Sequence, residues 1–340
     1  MTPARADSRS SAPTQARVSV AMCTFNGAAF VREQLESILA QTVLPTQIVV
    51  SDDGSTDATL NEVRRILAPA RITPLGITVN ILTRKKPLGV TGNFEAAMSA
   101  CTEEFIALSD QDDVWQSNRL EALLSAFDEP DVLLVHSDAR LVDEAGRPQP
   151  HTLMSSLGAS RRELRHEQGE RAFSVLLRRN LVTGATAMVR ASHMREVRPF
   201  PSAWMHDYWL AITASLSGRI RFVPETLIDY RQHSNNQIGV ARLTPGRAVT
   251  LLGDSRRARH VDRVERIAAL AERLADGSIP SRPEQRELVA EKLVHEERRR
   301  DLPDARMRRG VAVAGELIRG RYHRLSRGLI DVVRDLFSPA

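Results

Sequence analysis

Residues 47–57, QIVVSDDGSTD, begin as an apolar, β-branched run and end in three aspartates. Residues 104–115, EFIALSDQDDVW, repeat this pattern and carry Asp110, Asp112 and Asp113 near their end. Each run is typical of a buried strand, and a helical stretch follows it, which predicts successive βα units and a parallel sheet. Because the carboxyl ends of parallel strands meet at one edge of a sheet, we expect both acidic clusters to converge on one crevice.

The same alternation extends on both sides of these stretches, from Val18 to about Gln232. It predicts an α/β domain whose sheet is mixed but predominantly parallel and is flanked by helices. Ser55 or Thr56 is a suitable N-cap for the helix after the second strand. The predicted strands are residues 18–24, 47–53, 76–83, 104–110, 131–138, 181–189 and 220–231, and the predicted helices are residues 30–41, 56–67, 93–101, 117–127 and 206–218.

The net charge of +5 is unevenly distributed along the 340 residues. Residues 1–241 hold 25 Lys and Arg against 27 Asp and Glu, whereas residues 242–340 hold 22 against 15, a net charge of +7. We therefore predict a disordered tail at residues 1–17, an α/β domain at residues 18–241 and a basic helical extension at residues 242–340. The helical periods of that extension cover residues 259–275, 282–300 and 309–337.

Two interpretations of the basic extension stay open. Its helices either pack on the α/β domain with their arginines in solvent, or an amphipathic helix over residues 316–337 lies on an anionic membrane. Glu316, Asp331 and Asp335 reduce the positive charge of that segment. Nearly all the cations are arginine, and we expect no nucleic-acid partner.

Composition excludes several protein classes. The chain is 42% hydrophobic and 26% charged, which is ordinary for a globular protein. It has no apolar run of about 18 residues, so we expect no spanning helix, and its first residues do not resemble a secretory signal. Cys23 and Cys101 lie in separate apolar segments without metal-ligand neighbours, so we expect neither a disulfide nor a structural zinc. The expected location is the cytoplasm, with a contact to the inner face of the cell membrane left open.

The acidic clusters also have a structural interpretation. Asp53, Gly54 and Asp57 can simply form a turn and cap a helix. Three acids directly after a buried strand are a costly way to make a turn, because like charges repel and burial penalises them. A divalent cation with oxygen ligands, Mg²⁺ or Mn²⁺, is the better explanation of Asp110 and Asp112.

Four ordered motifs resemble the inverting family 2 glycosyltransferases, which have a GT-A (Rossmann-like) fold. They are MCTFNGAAFVREQLESILAQT (22–42), VVSDDGSTDAT (49–59), GVTGNF (89–94) and ALSDQDDVW (107–115). The forms DQDDVW, TGAT (183–186), HDYWLA (206–211) and DYRQHSNN (229–236) are similar to bacterial rhamnosyltransferase-like members. The resemblance covers about residues 17–240, and MCTFN departs from it where many members have a proline before Thr-Tyr-Asn.

This resemblance implies a role for individual residues on the nucleotide-sugar side. Asp52 would accept a hydrogen bond from the pyrimidine base, and Arg231 would steady phosphate charge. Asp110 would contact the ribose or a metal-bound water, and Asp113 would lie behind it or contact the sugar. The full set implied to bind the nucleotide-sugar is Thr24, Phe25, Asn26, Asp52, Asp53, Gly54, Gly89, Asn93, Asp110, Asp113 and Arg231.

The resemblance also implies a cation site and a catalytic base. Asp112 and Asp110 would ligate the cation on the diphosphate, with His233 completing the site. Asp207, in HDYW, matches the position of the general base that takes the proton of the acceptor hydroxyl. A plain acid at a helix N-terminus is the structural alternative for Asp207.

The function implied is a metal-dependent transfer of a sugar, with rhamnose one candidate, from a dTDP- or UDP-sugar to a hydroxyl of a polysaccharide or lipid-linked glycan. A module that binds sugar nucleotides or glycans without catalysis is one alternative. A haloacid-dehalogenase-like phosphatase is another, because DQDDV fits the pattern DxDx[VT]. In those phosphatases the pattern follows the first strand, whereas here it follows the fourth. Trp115 and Trp209 are interpreted as packing residues rather than as sugar-stacking platforms.

Overall fold

A computed structural model describes residues 17–233 and 256–339 of the chain. Residues 1–16 of the predicted tail and the predicted domain boundary at residues 241 and 242 lie outside the described residues. The strands of the described part are β1 Val18–Thr24, β2 Gln47–Asp52, β3 Thr78–Thr83, β4 Phe105–Ser109, β5 Val114–Trp115, β6 Val132–Val142, β7 Pro148–Thr152, β8 Ala187–Arg190 and β9 Arg219–Arg231.

These strands form one mixed sheet in the order β3-β2-β1-β4-β8-β6-β9-β5, with β7 paired to β6. The four strands β3, β2, β1 and β4 are mutually parallel, as the βα alternation predicts. Strand β8 then runs antiparallel to both β4 and β6, and β9 is parallel to β6. The prediction of a mixed, predominantly parallel sheet flanked by helices is thus confirmed.

The helices of residues 17–233 cover the sheet with apolar faces. On α1, for example, the spacing of Val31, Leu35 and Ile38 places all three on one buried side. Trp115 and Trp209 are both buried, in agreement with a packing role. The helices are α1 Val31–Leu39, α2 Thr59–Ile66, α3 Pro69–Ile72, α4 Gly89–Ser99, α5 Arg119–Ser125, α6 Leu153–Ser156, α7 Arg161–Glu167, α8 Ala172–Arg178, α9 Ala191–Glu196 and α10 His206–Ser217.

Three predicted element boundaries in this region are wrong. The helix predicted to begin at Asn93 begins at Gly89, because Asp53 accepts hydrogen bonds from the backbone at its start. Helix α2 begins at Thr59 after an Ala58 cap, since the hydroxyl of Ser55 is used by Asp52 instead. The strand predicted over residues 181–189 is reduced to β8, because Gly184–Thr186 form a 3₁₀ turn.

The C-terminal region is helical, as predicted, but its last segment is divided. Gly320 and Gly328 have φ angles of +69° and +63°, which a continuing right-handed helix does not allow. The predicted helix over residues 309–337, and with it the amphipathic helix over residues 316–337, is therefore wrong. The helices are α11 Arg256–Ala275, α12 Pro283–Arg300, α13 Arg306–Ile318, α14 Arg321–Leu325 and α15 Leu329–Phe337.

Helices α11 and α12 share the apolar core of the α/β domain. Leu270 and Leu274 of α11 belong to the same buried cluster as Trp204 and Trp209. The indole N–H of Trp204 also donates a hydrogen bond to the Arg266 carbonyl at 2.7 Å. This contact supports the packing interpretation for α11 and α12. In the described part of the chain, no helix combines the length and the hydropathy that crossing a bilayer requires.

Buried charges join α11 and α12 to α15. His260 lies between Glu296 and Asp335, with each ring nitrogen 3.1 Å from a carboxylate oxygen. Arg299 Nε donates to the Asp335 carboxylate at 2.6 Å. Burial alone would raise the pKa of Glu296, but the charges of Lys292 and Arg299 outweigh it and hold that pKa well below its usual range. Glu296 and Asp335 are therefore neutralised by basic partners inside the helical extension.

We expect Leu270→Ala to lower the free energy of unfolding of the whole chain by about 2–5 kcal/mol, the usual effect of deleting a buried leucine side chain. The measurement is chemical denaturation followed by both circular dichroism and tryptophan fluorescence. Val261→Ala is the matched control, because Val261 lies on the same helix but is exposed. A loss confined to the helical signal, with the tryptophan transition unchanged, would contradict the shared core.

Candidate active site

A cavity of about 520 Å³ lies at the carboxyl ends of β1, β2 and β4. Small-molecule sites in proteins have volumes of roughly 300–1,000 Å³. Strand register explains the position, because Thr24 pairs with Asp52 and Met22 with Ser109, so β1 and β2 end together and β4 ends two residues earlier. The lining residues are Cys23, Thr24, Phe25, Asn26, Phe30, Asp53, Pro87, Gly89, Val90, Asn93, Phe94, Asp110, Gln111, Asp112, Thr183, Gly184, Met205, His206, Asp207, Tyr230 and His233.

Asp52 and Asn26 hold the loops after β1 and β2 together. The Asp52 carboxylate accepts hydrogen bonds from the hydroxyls of Thr24 at 2.8 Å and Ser55 at 2.6 Å, and from the Ser55 N–H at 2.9 Å. Asn26 has a φ of 48°, and its side-chain oxygen accepts from the Thr56 N–H at 2.9 Å. Asp52 is buried, and its oxygens are engaged within these loops.

Asp53 fixes the start of α4. Its carboxylate accepts hydrogen bonds from the N–H groups of Leu88 at 2.8 Å and Gly89 at 2.9 Å, at the positive end of the helix dipole. Arg84 lies 3.2 Å from the Asp53 carboxylate and also donates to the side-chain oxygen of Asn93. Asp53, Gly89 and Asn93 consequently form one connected wall of the cavity.

Gln111 fixes the backbone of Phe25. The Phe25 N–H donates to the Gln111 Oε1 at 2.9 Å, and the Gln111 Nε2 donates to the Phe25 carbonyl at 3.0 Å. Gly27 makes room for this amide, since a Cβ at that position would lie 2.0 Å from Oε1. The exposed ring of Phe25 is thereby held at a defined place in the cavity wall.

The acidic loop after β4 concentrates negative charge in a desolvated place. Burial and the charge of Asp112 raise the pKa of Asp110 to about 7. Burial and the charges of Asp112 and Asp110 raise the pKa of Asp113 well above its usual range. Arg119 is buried nearby, with its guanidinium carbon 3.8 Å from the centre of the Trp115 ring, and burial lowers its pKa to about 9. Arg119 is the arginine whose charge opposes the raised pKa of both Asp110 and Asp113, and three carboxyl groups around it leave a site that favours a further cation.

Arg231 and His233, at the end of β9 and just beyond it, support this acidic loop. The Arg231 N–H donates to the Asp113 carboxylate at 3.1 Å, and its Nε donates to the Asp112 carbonyl at 2.9 Å. The Nη2 of Arg231 donates to Glu33 at 2.5 Å. His233 Nε2 lies 2.8 Å from Asp112 Oδ2 in the cavity lining. Arg231 thus holds the loop from behind, whereas His233 and Asp112 are side by side at the cavity.

Asp207 reaches the cavity from a separate element, the first turn of α10. Its Oδ2 accepts a hydrogen bond from the Gly184 N–H at 3.1 Å. Burial raises the pKa of Asp207 to about 6. The charge of Asp207 also contributes, after burial and Asp112, to the raised pKa of Asp110. Asp207 and Asp110 are therefore electrostatically coupled within one cavity.

His206, beside Asp207, offers a further polar group. Its ring stacks on Phe94 with centroids 3.9 Å apart, and neither ring nitrogen has a hydrogen-bond partner among the described residues. Gly184 permits this approach, since a Cβ there would lie 2.7 Å from Nε2. Burial lowers the pKa of His206 to about 3, so the imidazole is neutral near pH 7 and can donate to or accept from a bound hydroxyl.

Most of the residues that line the cavity lie in a segment that matches a known sequence family. A family model described as Glycosyl transferase family 2 matches residues 19–198. The chain belongs to glycosyl transferase family 2. This match confirms the predicted enzyme class, a glycosyltransferase. It gives no support to the phosphatase alternative.

Curated relatives of this family 2 glycosyltransferase carry related names. The chain is 28% identical over 239 residues to an uncharacterised glycosyltransferase of Nostoc sp., covering 67% of this chain and 69% of the relative. It is 28% identical over 236 residues to the dTDP-rhamnosyl transferase RfbG of Shigella flexneri, covering 64% of this chain and 73% of the relative. Mycobacterial relatives, which are uncharacterised proteins 26% identical to this chain, are matched over only 59% of their own length.

Two solved structures share the fold. Residues 1–349 of S. aureus TarS, in complex with UDP-GlcNAc, align with a TM-score of 0.54 at 16% identity, over 94% of this chain and 88% of that one. The mannosyltransferase PcManGT from Pyrobaculum calidifontis, in complex with GDP-Man and Mn²⁺, aligns with a TM-score of 0.52 at 18% identity, over 95% and 84%. At these identities the likeness shows the fold alone, and the predicted GT-A architecture is confirmed.

The structure gathers most of the predicted site residues of this glycosyltransferase around the cavity. Four of them are placed behind its wall: Asp52 and Gly54 lie in the loop after β2, and Asp113 and Arg231 support the acidic loop. Their predicted contacts with donor groups stay predictions. The predicted residues that line the cavity are Thr24, Phe25, Asn26, Asp53, Gly89, Asn93, Asp110, Asp112, Asp207 and His233.

The three residues predicted to ligate a cation lie at the same cavity but do not form a complete ligand group in the described part of the chain. Across residues 17–233 and 256–339, no three His, Cys, Asp or Glu side chains form a group that could hold a metal ion. Asp112 and His233 are nevertheless in contact, and Asp110 lines the same cavity with a raised pKa. Carboxylate oxygens and an imidazole suit Mn²⁺, and the surplus negative charge favours a cation, so the donor set fits the predicted group.

Three residues of the site were missed or given no role by the sequence analysis. Gln111 lies inside the DQDD motif, but its role depends on Phe25, 86 residues away. Arg119 has the appearance of an ordinary helix-surface arginine in the sequence, and only packing places it under the acidic loop. His206 is adjacent to Asp207, and its free ring nitrogens become visible only in the folded chain.

We expect Gln111→Ala to weaken binding of UDP or dTDP about tenfold, because the two lost hydrogen bonds, each with a net value of about 0.5–1.5 kcal/mol, no longer order Phe25. Isothermal titration calorimetry measures the affinity. Gln168→Ala is the matched control, since Gln168 donates one hydrogen bond to a backbone carbonyl away from the cavity. Unchanged nucleotide affinity in Gln111→Ala would show that Phe25 is not part of the nucleotide site.

Proposed function

We propose that this family 2 glycosyltransferase moves a sugar from a dTDP- or UDP-sugar to a hydroxyl of a growing polysaccharide or lipid-linked glycan, with inversion at the anomeric carbon. The observation that carries the proposal is that Asp207 and the Asp112–His233 pair line the same cavity. Rhamnose is the proposed sugar, because the motifs resemble rhamnosyltransferase-like members and RfbG is named a dTDP-rhamnosyl transferase.

The nucleotide is proposed to occupy the side of the cavity formed by the loops after β1 and β2. Phe25 offers an exposed ring for stacking on a base, and Thr24 and Asn26 flank it in the lining. The wall made by Asp53 and Asn93 adjoins them. Because Gln111 fixes Phe25 to the acidic loop, a base held there places its diphosphate toward Asp110 and Asp112.

Asp112, Asp110 and His233 would hold a divalent cation beside that diphosphate. When bound, such a cation neutralises the negative charge that develops on the leaving phosphate. His233 is kept in place by its contact with Asp112, and Arg231 fixes the loop through the Asp112 carbonyl. In this proposal Asp112 and His233 orient the leaving group, and Arg231 supports the loop that carries Asp112.

Asp207 is proposed to act as the general base. The acceptor oxygen forms a bond to the anomeric carbon while the bond from that carbon to the phosphate oxygen breaks, and the hydroxyl proton passes to the Asp207 carboxylate. Attack opposite the leaving group inverts the configuration. The Gly184 N–H orients the carboxylate, and a pKa near 6 leaves it deprotonated at neutral pH but basic enough to accept a proton.

We expect one member of a panel of UDP- and dTDP-sugars to raise the melting temperature in Mn²⁺, because a ligand that binds only the native state stabilises it by mass action. Asp112→Asn should lose this stabilisation and the turnover, and added chelator should have the same effect on the parent. Asp229→Asn, whose carboxylate pairs with Arg140 outside the cavity, is the control. An active, chelator-resistant Asp112→Asn would refute the metal assignment.

We expect Asp207→Asn to lower kcat by about 10²–10⁴, the usual effect of losing a general base, with donor binding retained. The assay is nucleoside diphosphate release from the donor that stabilises the protein best. Since only the carboxylate accepts a proton, kcat of the parent should fall about tenfold per pH unit below a pKa of about 6. Asp143→Asn, in an exposed turn, is the control. Unchanged kcat in Asp207→Asn would show that another group acts as the base.

A further inference from the structure

Helices α13 and α15 expose apolar side chains and bury charged ones, which is the reverse of an ordinary surface helix. On α13, Met307, Val311 and Ile318 are 88%, 75% and 86% exposed, whereas Arg309 and Glu316 are buried. The spacing i, i+4 and i+11 places the three apolar side chains on one stripe, directly opposite the buried charges. This stripe extends over about 20 Å, the length of a helix of this size.

Helix α15 likewise exposes apolar side chains and buries a charged one. Leu329, Val333 and Phe337 follow one another at intervals of four residues and are 61%, 47% and 68% exposed, with Ile330 beside them. Asp335, on the opposite side of the helix, is fully buried. Arg309 of α13 donates to the Ser338 carbonyl at the end of α15, so the two packed helices are antiparallel neighbours. The stripes of α13 and α15 together are called the apolar face below.

The buried carboxylates Glu316 and Asp335 of these helices have hydrogen-bond partners within the protein. Glu316 contacts His295, Arg298 and Arg321, and Asp335 contacts Arg299 and the hydroxyl of Tyr322. An exposed apolar face of this extent, formed while charged side chains are drawn inside, is the usual sign of an interaction surface.

The charge of the segment that carries the apolar face favours an anionic partner. Residues 305–339 contain eight arginines and three acidic residues, Glu316, Asp331 and Asp335, and all three acids are buried. Arg306, Arg308 and Arg319 are exposed. A second copy of this chain would bring arginines against arginines, which costs energy, whereas an anionic bilayer attracts them.

We infer that the apolar face docks on the surface of an anionic membrane, with its apolar side chains in the headgroup region and its arginines on lipid phosphates. This mode of binding is that of interfacial amphipathic elements. It differs from a single helix over residues 316–337, because two antiparallel helices on either side of α14 form the surface. The inference does not depend on which sugar or acceptor the enzyme uses.

The apolar face is connected to the cavity by packed elements. Helix α14 packs on α8, and the Leu176 carbonyl of α8 accepts a hydrogen bond from the hydroxyl of Tyr208, which follows Asp207 on α10. Docking at the apolar face therefore constrains the orientation of the helix that carries the proposed base with respect to the bilayer. A lipid-linked acceptor is confined to the same plane, so docking would raise the frequency of productive encounters.

The test is co-sedimentation of the full-length chain with vesicles of phosphatidylcholine alone and of phosphatidylcholine mixed with phosphatidylglycerol. We expect binding only to the anionic vesicles, weakening as salt rises, since charges are screened beyond about 10 Å at 0.1 M. Arg306→Gln with Arg308→Gln should weaken binding about 30-fold, given about 1 kcal/mol for each arginine near an anionic surface.

A second variant, Ile318→Ser with Phe337→Ser, should weaken vesicle binding at least about tenfold through lost apolar burial. Both side chains are exposed, so the melting temperature should not change. Leu75→Ser, an exposed apolar residue of the α/β domain, is the matched control and should bind as the parent does. Binding that ignores lipid charge or survives both double variants would overturn the inference, as would a dimer in sedimentation velocity that Ile318→Ser with Phe337→Ser abolishes.

Discussion

Negative charge at the carboxyl edge of the parallel strands is the constraint on which the rest of the site depends. Strands β1 and β2 end together and β4 ends two residues earlier, so the aspartates at their ends are close together and partly desolvated. The negative charge of Asp52 and Asp53 is stabilised by hydrogen bonds from hydroxyl and backbone N–H groups. The negative charge of the acidic loop after β4 is opposed by the buried Arg119. The compensation at Asp110 and Asp112 is incomplete, which is the reason for proposing a cation there and, through that cation, a diphosphate.

The proposed base, Asp207, is far from Asp110 and Asp112 in the sequence, but it lines the same cavity as they do. Asp207 begins a helix that is packed between the sheet and the C-terminal helices, and the Gly184 N–H holds its carboxylate. Burial raises its pKa to about 6, a value at which a carboxylate is both ionised at neutral pH and a usable proton acceptor. The neutral His206 beside it adds a hydrogen-bonding group without adding charge.

In the last C-terminal helices, α13 and α15, the acidic side chains are buried, and the exposed charges on α13 include arginines. Glu296 and Asp335 are buried and paired with Arg299, Lys292 and His260. Apolar side chains of both α13 and α15 are exposed. At the other end of the extension, Leu270 belongs to the core of the α/β domain. The extension is therefore anchored on one side and chemically suited to a membrane surface on the other.

Local pattern was sufficient to predict the four parallel βα units and the acidic loops, because apolar runs and turn residues are set by neighbours in the chain. The family resemblance, rather than local pattern, suggested Asp112, Asp207 and His233, and the structure places all three in the lining of one cavity. The sequence did not determine that Gln111 holds Phe25, that Arg119 lies under Asp110, or that Arg231 and Asp52 are engaged behind the cavity wall. Nor did the sequence predict that the last helical segment is divided at Gly320 and Gly328, or that α13 and α15 expose apolar side chains and bury charged ones. Those features depend on contacts between residues far apart in the chain, and only tertiary packing decides which side of a helix is buried and which carboxylate loses its water.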